Sequence, residues 1–162
     1  MNAHVWLESD VPEGLAVRQV YGFILNQVGQ ILLFEDAGLY NLPGGKPEHD
    51  ETVSETLIRE AKEEVQVTIT AIDYLGYQLI TDNEDFAQVR LVCLVDEIFP
   101  IEADPGTGRD YSRLWVPPTQ ANALLNWGES GAGQIKSAMK AASKLGVIWD
   151  GSPISRIDTL GG

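Results

Sequence analysis

Acidic side chains crowd one short segment of the sequence, residues 60–64. Glu60, Glu63 and Glu64 fall within these five positions, and on a helix that turns about 100° per residue they share one edge of the apolar face. Glu60 and Glu64 are four residues apart, a like-charge spacing that destabilises a helix by roughly a few tenths of a kcal/mol. A cation between them would reverse that sign. Clustered carboxylates suit a hard divalent ion, Mg²⁺ or Mn²⁺, whereas zinc favours His or Cys.

The segment from Thr52 to Val65 is predicted to be the helix that carries these carboxylates. Thr52 and Glu55 match a capping box, in which each side chain binds a free backbone N–H group of the first turn. Apolar residues recur at the spacing of a helix that packs on a core, at Val53, Leu57, Ala61 and Val65. The glutamates then lie at the edge of the buried face; the alternative is a solvated acidic surface.

A loop containing two adjacent glycines, Gly44 and Gly45, precedes this helix. Glycine permits positive φ and lets backbone N–H groups approach a ligand without a Cβ in the way. The loop and helix together resemble the Nudix box, G-x5-E-x7-R-E-U-x-E-E-x-G-U, in which U is an apolar residue. The matching positions keep the family's spacing and are Gly45, Glu51, Arg59, Glu60, Ala61, Glu63, Glu64 and Val67.

One position departs from the motif, because Gln66 stands where the family has its last glycine. For a residue with a Cβ, the left-handed conformation that is favoured after a helix is about 1–2 kcal/mol less stable. Either the helix ends differently here or the local backbone is strained. The presumed metal ligands are unchanged.

The resemblance implies a Nudix pyrophosphohydrolase that uses Mg²⁺, or Mn²⁺ as an alternative. It implies Glu60 and Glu64 as principal metal ligands, Glu63 as a further ligand or the base, and Gly45 among the metal-binding residues. Arg59 is assigned to the catalytic group, where it holds carboxylates in position at i, i+4 from Glu55 and Glu63. The substrate-binding group is Gly44, Gly45, Lys46 and Arg18, although Lys46 and Arg18 are also explained as exposed charges.

An acid from the loop at residues 100–113 is the alternative base. The loop carries three acidic side chains that qualify, and their assignment depends on position alone. We choose Asp110 from the set Glu102, Asp104 and Asp110.

The remaining pattern predicts an α/β (α+β) protein in which a helix packs against a mixed sheet in a single domain, residues 1–162. The resemblance implies the Nudix fold, a mixed β-sheet sandwiched between helices. Residues 1–15 are expected to be a loosely ordered or extended lead-in, with Trp6 on an edge strand. A hairpin and a last strand at 114–117 are expected, then two helices, the first capped by Thr119. The predicted strands are 16–25, 31–36, 39–42, 67–81, 88–99 and 114–117, and the later helices are 119–127 and 133–145.

Composition restricts the class of protein. The formal charge of −13 repels nucleic acid polymers and anionic membranes, and we find no apolar run of about 18 residues. We expect a cytoplasmic protein that acts on a small nucleotide, with a homodimer as one option for its assembly. The single cysteine, Cys93, is expected to be a core residue, which disfavours an isoprenoid diphosphate isomerase.

Substrate identity stays open at this stage. The length mildly favours a nucleoside triphosphate, cleaved to monophosphate and pyrophosphate. Nucleotide sugars and dinucleoside polyphosphates are the alternatives, as is a non-catalytic Nudix-fold binding module, which the presence of all three glutamates disfavours.

Overall fold

A mixed sheet of nine strands organises the computed structural model, which describes residues 3–157. The spatial order is β1-β6-β7-β2-β3-β8-β9, with β4 beside β3 and β5 beside β2. Strands β2 and β7 are parallel and the other pairs are antiparallel. The strands are β1 Ala3–Leu7, β2 Val17–Leu25, β3 Ile31–Asp36, β4 Leu39–Asn41, β5 Gly44–Gly45, β6 Val67–Thr81, β7 Phe86–Ile98, β8 Ser112–Val116 and β9 Ser155–Ile157.

Helices cover both faces of this sheet, which confirms the predicted architecture. They are α1 Val53–Val65, α2 Pro118–Leu125 and α3 Gly128–Lys144. Successive side chains of a strand point to opposite faces, and in β2 Val20 and Ile24 join the core under α1 whereas Phe23 and Leu25 join the core under α2 and α3. The two apolar layers hold the sheet between the helices.

Helix α1 begins as the sequence predicts. The Glu55 backbone N–H donates to Thr52 Oγ1 at 3.1 Å, and the Thr52 N–H donates to Glu55 Oε1 at 2.9 Å. Leu57 is fully buried on β2, where a Cβ on Gly22 would lie 2.4 Å from its Cδ2. This close packing fixes the helix, and therefore its carboxylates, against the sheet.

The predicted hairpin is present but short, because the antiparallel neighbours β2 and β3 form the residue pair Leu25 with Ile31. Other expectations outside the motif were wrong. Strand β8 is not the last, since Ser155–Ile157 adds β9 beside it. Helix α2 starts without a side-chain cap, so Thr119 does not cap it. Helix α3 starts at Gly128, five residues earlier than predicted.

Other expectations were right. The lead-in supplies β1, an edge strand antiparallel to β6, and Trp6 packs against the core on the α3 side. Cys93 is fully buried in β7, and burial raises the pKa of its thiol. Among residues 3–157, no helix has the length and apolar character needed to cross a membrane.

Candidate active site

Arg59 forms hydrogen bonds both to the loop that follows the two glycines and to helix α1. Its Nε and Nη2 groups donate to both oxygens of Glu51, at 2.7 and 3.1 Å. Its Nη1 group donates to Glu60 Oε1 at 2.9 Å and to Glu63 Oε2 at 3.3 Å, and Nη2 also donates to the Lys46 carbonyl oxygen at 2.9 Å. One guanidinium therefore fixes two helical glutamates and both ends of the loop.

Glu51 is the structural partner of this arginine. The Arg59 hydrogen bond, assisted by the backbone N–H of Glu48, lowers the pKa of Glu51 to about 2. Its Oε1 also accepts from the Thr56 hydroxyl at 3.0 Å. The predicted pairing of Arg59 with Glu55 is wrong, because Glu55 belongs to the capping box, and Glu51 takes that place.

Glu60 lies directly against the glycine loop. A Cβ built on Gly45 would lie 2.5 Å from Glu60 Oε1, so a side chain at residue 45 would displace the carboxylate. Burial is the main influence that raises the pKa of Glu60, Arg59 opposes it, and the charges of Glu63 and Asp104 add to the rise. Gly45 is needed here for close approach.

Glu64 is the most perturbed carboxyl group of the site. Its Oε1 accepts from the Gly44 backbone N–H at 3.0 Å, a contact that lowers the pKa. Burial dominates, and together with the charges of Glu60, Asp104 and Glu63 it raises the pKa of Glu64 to about 8. A Cβ on Gly44 would lie 2.1 Å from a carbonyl oxygen of β2, so glycine is required for this contact as well.

Asp104 is the acid of the 100–113 loop that faces these glutamates. It is 7% exposed and its charge raises the pKa of both Glu60 and Glu64. A tight turn holds it, in which Asp104 Oδ1 accepts from the Gly106 N–H at 2.8 Å. Asp110, which we chose from the sequence, is exposed, and its role as the base stays a prediction.

The remaining substrate-binding predictions stay predictions. The Lys46 side chain is exposed, and the described contact of this residue is its carbonyl oxygen on Arg59. Arg18 forms an exposed ion pair with Glu84 at 2.6 Å and lies over the Phe86 ring at 4.7 Å.

Gln66 resolves the alternatives raised by the missing glycine. It is the C-cap of α1 in the left-handed conformation, with φ 52° and ψ 49°. Its side-chain amide donates to the Glu63 carbonyl oxygen at 2.9 Å, which offsets part of the backbone strain. The family's backbone geometry is therefore kept without its glycine.

The donor set fits a hard divalent cation. Within residues 3–157, no three His, Cys, Asp or Glu side chains are already gathered at the spacing of metal ligands, since Arg59 holds Glu60 and Glu63 while Gly44 holds Glu64. The donors are nevertheless all oxygens, which Mg²⁺ and Mn²⁺ prefer. Burial, together with the neighbouring acids, raises the pKa values of Glu60 and Glu64, and a bound cation would oppose this rise.

Comparison with known families agrees with this geometry. The sequence profile of the NUDIX domain matches residues 16–137, from the start of β2 into α3. The chain belongs to the NUDIX domain family. The match confirms the predicted Nudix hydrolase, although a comparison with curated proteins finds no match.

Solved structures share the Nudix fold. A NUDIX hydrolase from Nitrosomonas europaea superposes with a TM-score of 0.62 at 18% identity, over 80% of this chain and 90% of that one. The Caenorhabditis elegans (C. elegans) Ap4A hydrolase gives 0.53 at 15% identity, over 81% and 99%. A variant of the Bacillus subtilis pyrophosphohydrolase BsRppH gives 0.56 at 23% identity, over 64% and 65%. At these identities the likeness establishes the fold alone.

Two residues outside the Nudix box, Tyr21 and Arg90, lie near its glycine loop. Tyr21 lies against Gly44, whose Cβ would be 2.6 Å from the tyrosine Cδ1, and burial raises the pKa of Tyr21. Arg90 lies over the Tyr21 ring at 5.0 Å and is 3% exposed. The available signal for Arg90 was a charged residue inside an otherwise apolar strand.

Proposed function

We propose that this Nudix hydrolase cleaves a pyrophosphate bond of a nucleoside triphosphate, giving a monophosphate and pyrophosphate, with Mg²⁺ as cofactor. The observation that carries the proposal is the position of Glu60 and Glu64 against the glycine loop, where burial and the charges of neighbouring acids raise the pKa values of the two glutamates. An anionic substrate would meet repulsion there in the absence of a cation.

The contacts of each residue indicate its role in the proposed reaction. Glu60, Glu64 and Glu63 would hold Mg²⁺, with Gly45 beside them, and the ion would neutralise the phosphate chain and polarise its phosphorus–oxygen bonds. Arg59 acts as a positioning residue because its hydrogen bonds fix Glu51, Glu60 and Glu63. Glu63 or Asp104 accepts the proton of the attacking water.

The rival classes receive less support. A binding module without activity would typically have lost ligands, whereas all three glutamates are present. An isomerase that needs a reactive cysteine does not fit Cys93, because it is fully buried and burial raises the pKa of its thiol. Nucleotide sugars and dinucleoside polyphosphates remain the alternative substrates. The single domain, the homodimer and the cytoplasmic location stay predictions.

A nucleotide panel assayed with and without Mg²⁺, with both products identified, tests the proposal. Glu64→Gln should lower kcat by at least about 100-fold, because it removes a charge that binds the metal. Glu55→Gln is the matched control: it changes a carboxylate of the same helix, and glutamine also suits its position in the capping box. Turnover without a divalent ion, or near-normal turnover by Glu64→Gln, would contradict the proposal.

A further inference from the structure

Arg90 is a buried cation without a charged partner. Within residues 3–157 it forms no ion pair, and its hydrogen-bond partners are amide oxygens: Nε donates to Gln134 at 2.9 Å, and Nη2 donates to Gln78 and Gln88 at 3.2 and 3.4 Å. Its Nη1 group is buried and donates to no described residue. Burial lowers the pKa of Arg90 only to about 10, so the side chain stays protonated at neutral pH. A buried donor without an acceptor destabilises the folded protein.

A cavity of about 250 Å³ adjoins this arginine. His4 and Asn126 are at its exposed side, whereas Gln78 and Arg90 are buried. Trp127 forms an aromatic wall, with its ring 4.9 Å from the Arg90 guanidinium carbon. The volume is below the range of about 300–1,000 Å³ that takes whole drug-sized ligands, so the cavity suits one part of a substrate.

The amide oxygens around Arg90 at the closed end of the cavity already accept hydrogen bonds from it. Arginine carries N–H donors and no acceptor. The carbonyl oxygen of Gln78 accepts from both Arg90 and Gln134, at 3.2 and 3.1 Å, which leaves the Gln78 amide N–H₂ group to donate. A group that presents oxygen acceptors is therefore complementary, and a group that presents an amino donor is not.

A continuous set of contacts joins this cavity to the glutamates of the Nudix site. Glu64 accepts from the Gly44 N–H at 3.0 Å, Gly44 packs against the Tyr21 ring, and Arg90 lies over the same ring at 5.0 Å. Tyr21 therefore contacts the glycine loop of the Nudix site on one side and Arg90 of the cavity on the other.

We infer that the cavity formed by Arg90, Gln78 and Trp127 receives the substrate's base and selects bases that carry a carbonyl oxygen over bases that carry an amino group at the same position. The inference rests on the proposed nucleotide hydrolysis. The planar base would stack on Trp127, as bases do on aromatic side chains, while its carbonyl oxygen accepts from Arg90. Adenine would place an N–H₂ donor against these donors.

Inosine and adenosine nucleotides provide the matched test, because hypoxanthine has oxygen at C6 where adenine has an amino group. One good pair of hydrogen bonds to a base discriminates by about 5- to 150-fold. We expect kcat/KM of the unmodified protein to be higher for ITP than for ATP by a factor in this range. Equal values would overturn the inference and leave the hydrolase proposal intact.

Substitution of the arginine tests its role in this preference. Arg90→Met keeps the length of the side chain and removes its donors, so the ITP/ATP ratio should fall toward 1, with thermal melting used to verify folding. Arg156→Met is the control, since Arg156 is exposed on β9, and it should keep the ratio. A folded Arg90→Met protein with an unchanged ratio would refute the assignment, and the wild-type comparison decides the inference even if this variant does not fold.

Equilibrium binding separates the two proposals. Titration with IMP and AMP in the presence of Mg²⁺ reports base preference without hydrolysis. Tighter binding of IMP with no turnover of any nucleotide would support the cavity assignment and refute the proposed activity. Indistinguishable binding of IMP and AMP would refute the cavity assignment.

Discussion

Replacing Glu64 with glutamine should stabilise the metal-free protein at alkaline pH while it removes activity. Glutamine keeps an oxygen that can accept from the Gly44 N–H, so the substitution removes a charge and little else. Burial and neighbouring acids raise the pKa of Glu64 from its ordinary 4.5 to about 8. A difference of that size corresponds to about 5 kcal/mol of unfavourable charging, which solvent and counterions reduce. We expect a gain of about 2–5 kcal/mol.

The sign of the pH dependence follows from the raised pKa. Below pH 4.5 the carboxyl group is protonated in the folded and unfolded chains alike, and its ionisation costs the folded protein no stability. As the pH rises from 4.5 to about 8, the unfolded chain ionises first and wild-type stability falls. The difference between Glu64→Gln and wild type should therefore be small at pH 5 and reach its full value near pH 9.

Thermal melting in EDTA measures this difference. For a chain of this size, about 1 kcal/mol shifts Tm by roughly 2–4 °C, so the variant should melt at least about 4 °C above wild type at pH 9. Added Mg²⁺ should raise the Tm of wild type and have a smaller effect on the variant, because binding to the folded state alone is stabilising. The control, Glu55→Gln, should keep the wild-type Mg²⁺ response.

Two outcomes would refute this reasoning. A Glu64→Gln protein that melts below wild type at pH 9 in EDTA would mean that the ionised carboxylate stabilises the fold. A difference in Tm that is the same at pH 5 and pH 9 would mean that charge is not its cause.

Two further predictions concern the end of α1 and the acidic loop. Gln66→Ala should destabilise the protein by about 1 kcal/mol, because it keeps the left-handed backbone and loses the hydrogen bond from the side-chain amide to Glu63. Gln66→Gly loses the same hydrogen bond but relieves the backbone strain, so its stability in urea unfolding should be near that of wild type. Asp104→Asn should lower kcat by at least about 10-fold whereas Asp110→Asn changes it less than about twofold; equal effects in steady-state assays would remove the preference for Asp104.

The local sequence pattern predicted a helix or strand correctly where the contacts that stabilise it are local. Helix α1 has its own cap and apolar face, so its start at Thr52 was predicted from the Thr52 and Glu55 pair. Strand β3, Ile31–Asp36, and strand β6, Val67–Thr81, have the predicted bounds because turn residues flank both. Family spacing identified the glutamates of the Nudix box in the same way.

The sequence pattern did not predict features of the structure that depend on contacts between distant segments. The short strand β9 exists through its pairing with β8, about forty residues earlier in the chain, and its three residues carry no period of their own. The start of α3 is rich in glycine, so the sequence pattern did not predict a helix there. Asp104 and Asp110 have the same side chain in the same loop, and only the folded turn buries Asp104, whose charge acts on Glu64.

The groups on the two sides of Tyr21 carry opposite net charge. Under our two proposals, this difference would give a bound metal ion a second role, the orientation of the nucleotide. On one side, the carboxylates of the site outnumber the guanidinium of Arg59, which is shared among Glu51, Glu60 and Glu63. On the other side, Arg90 is positive and lacks a charged partner among the described residues. Phosphates alone would be attracted toward Arg90 and repelled by the glutamates. A bound Mg²⁺ would reverse the sign of the charge at the glutamates and so would determine which end of a nucleotide meets which site, before any bond is broken.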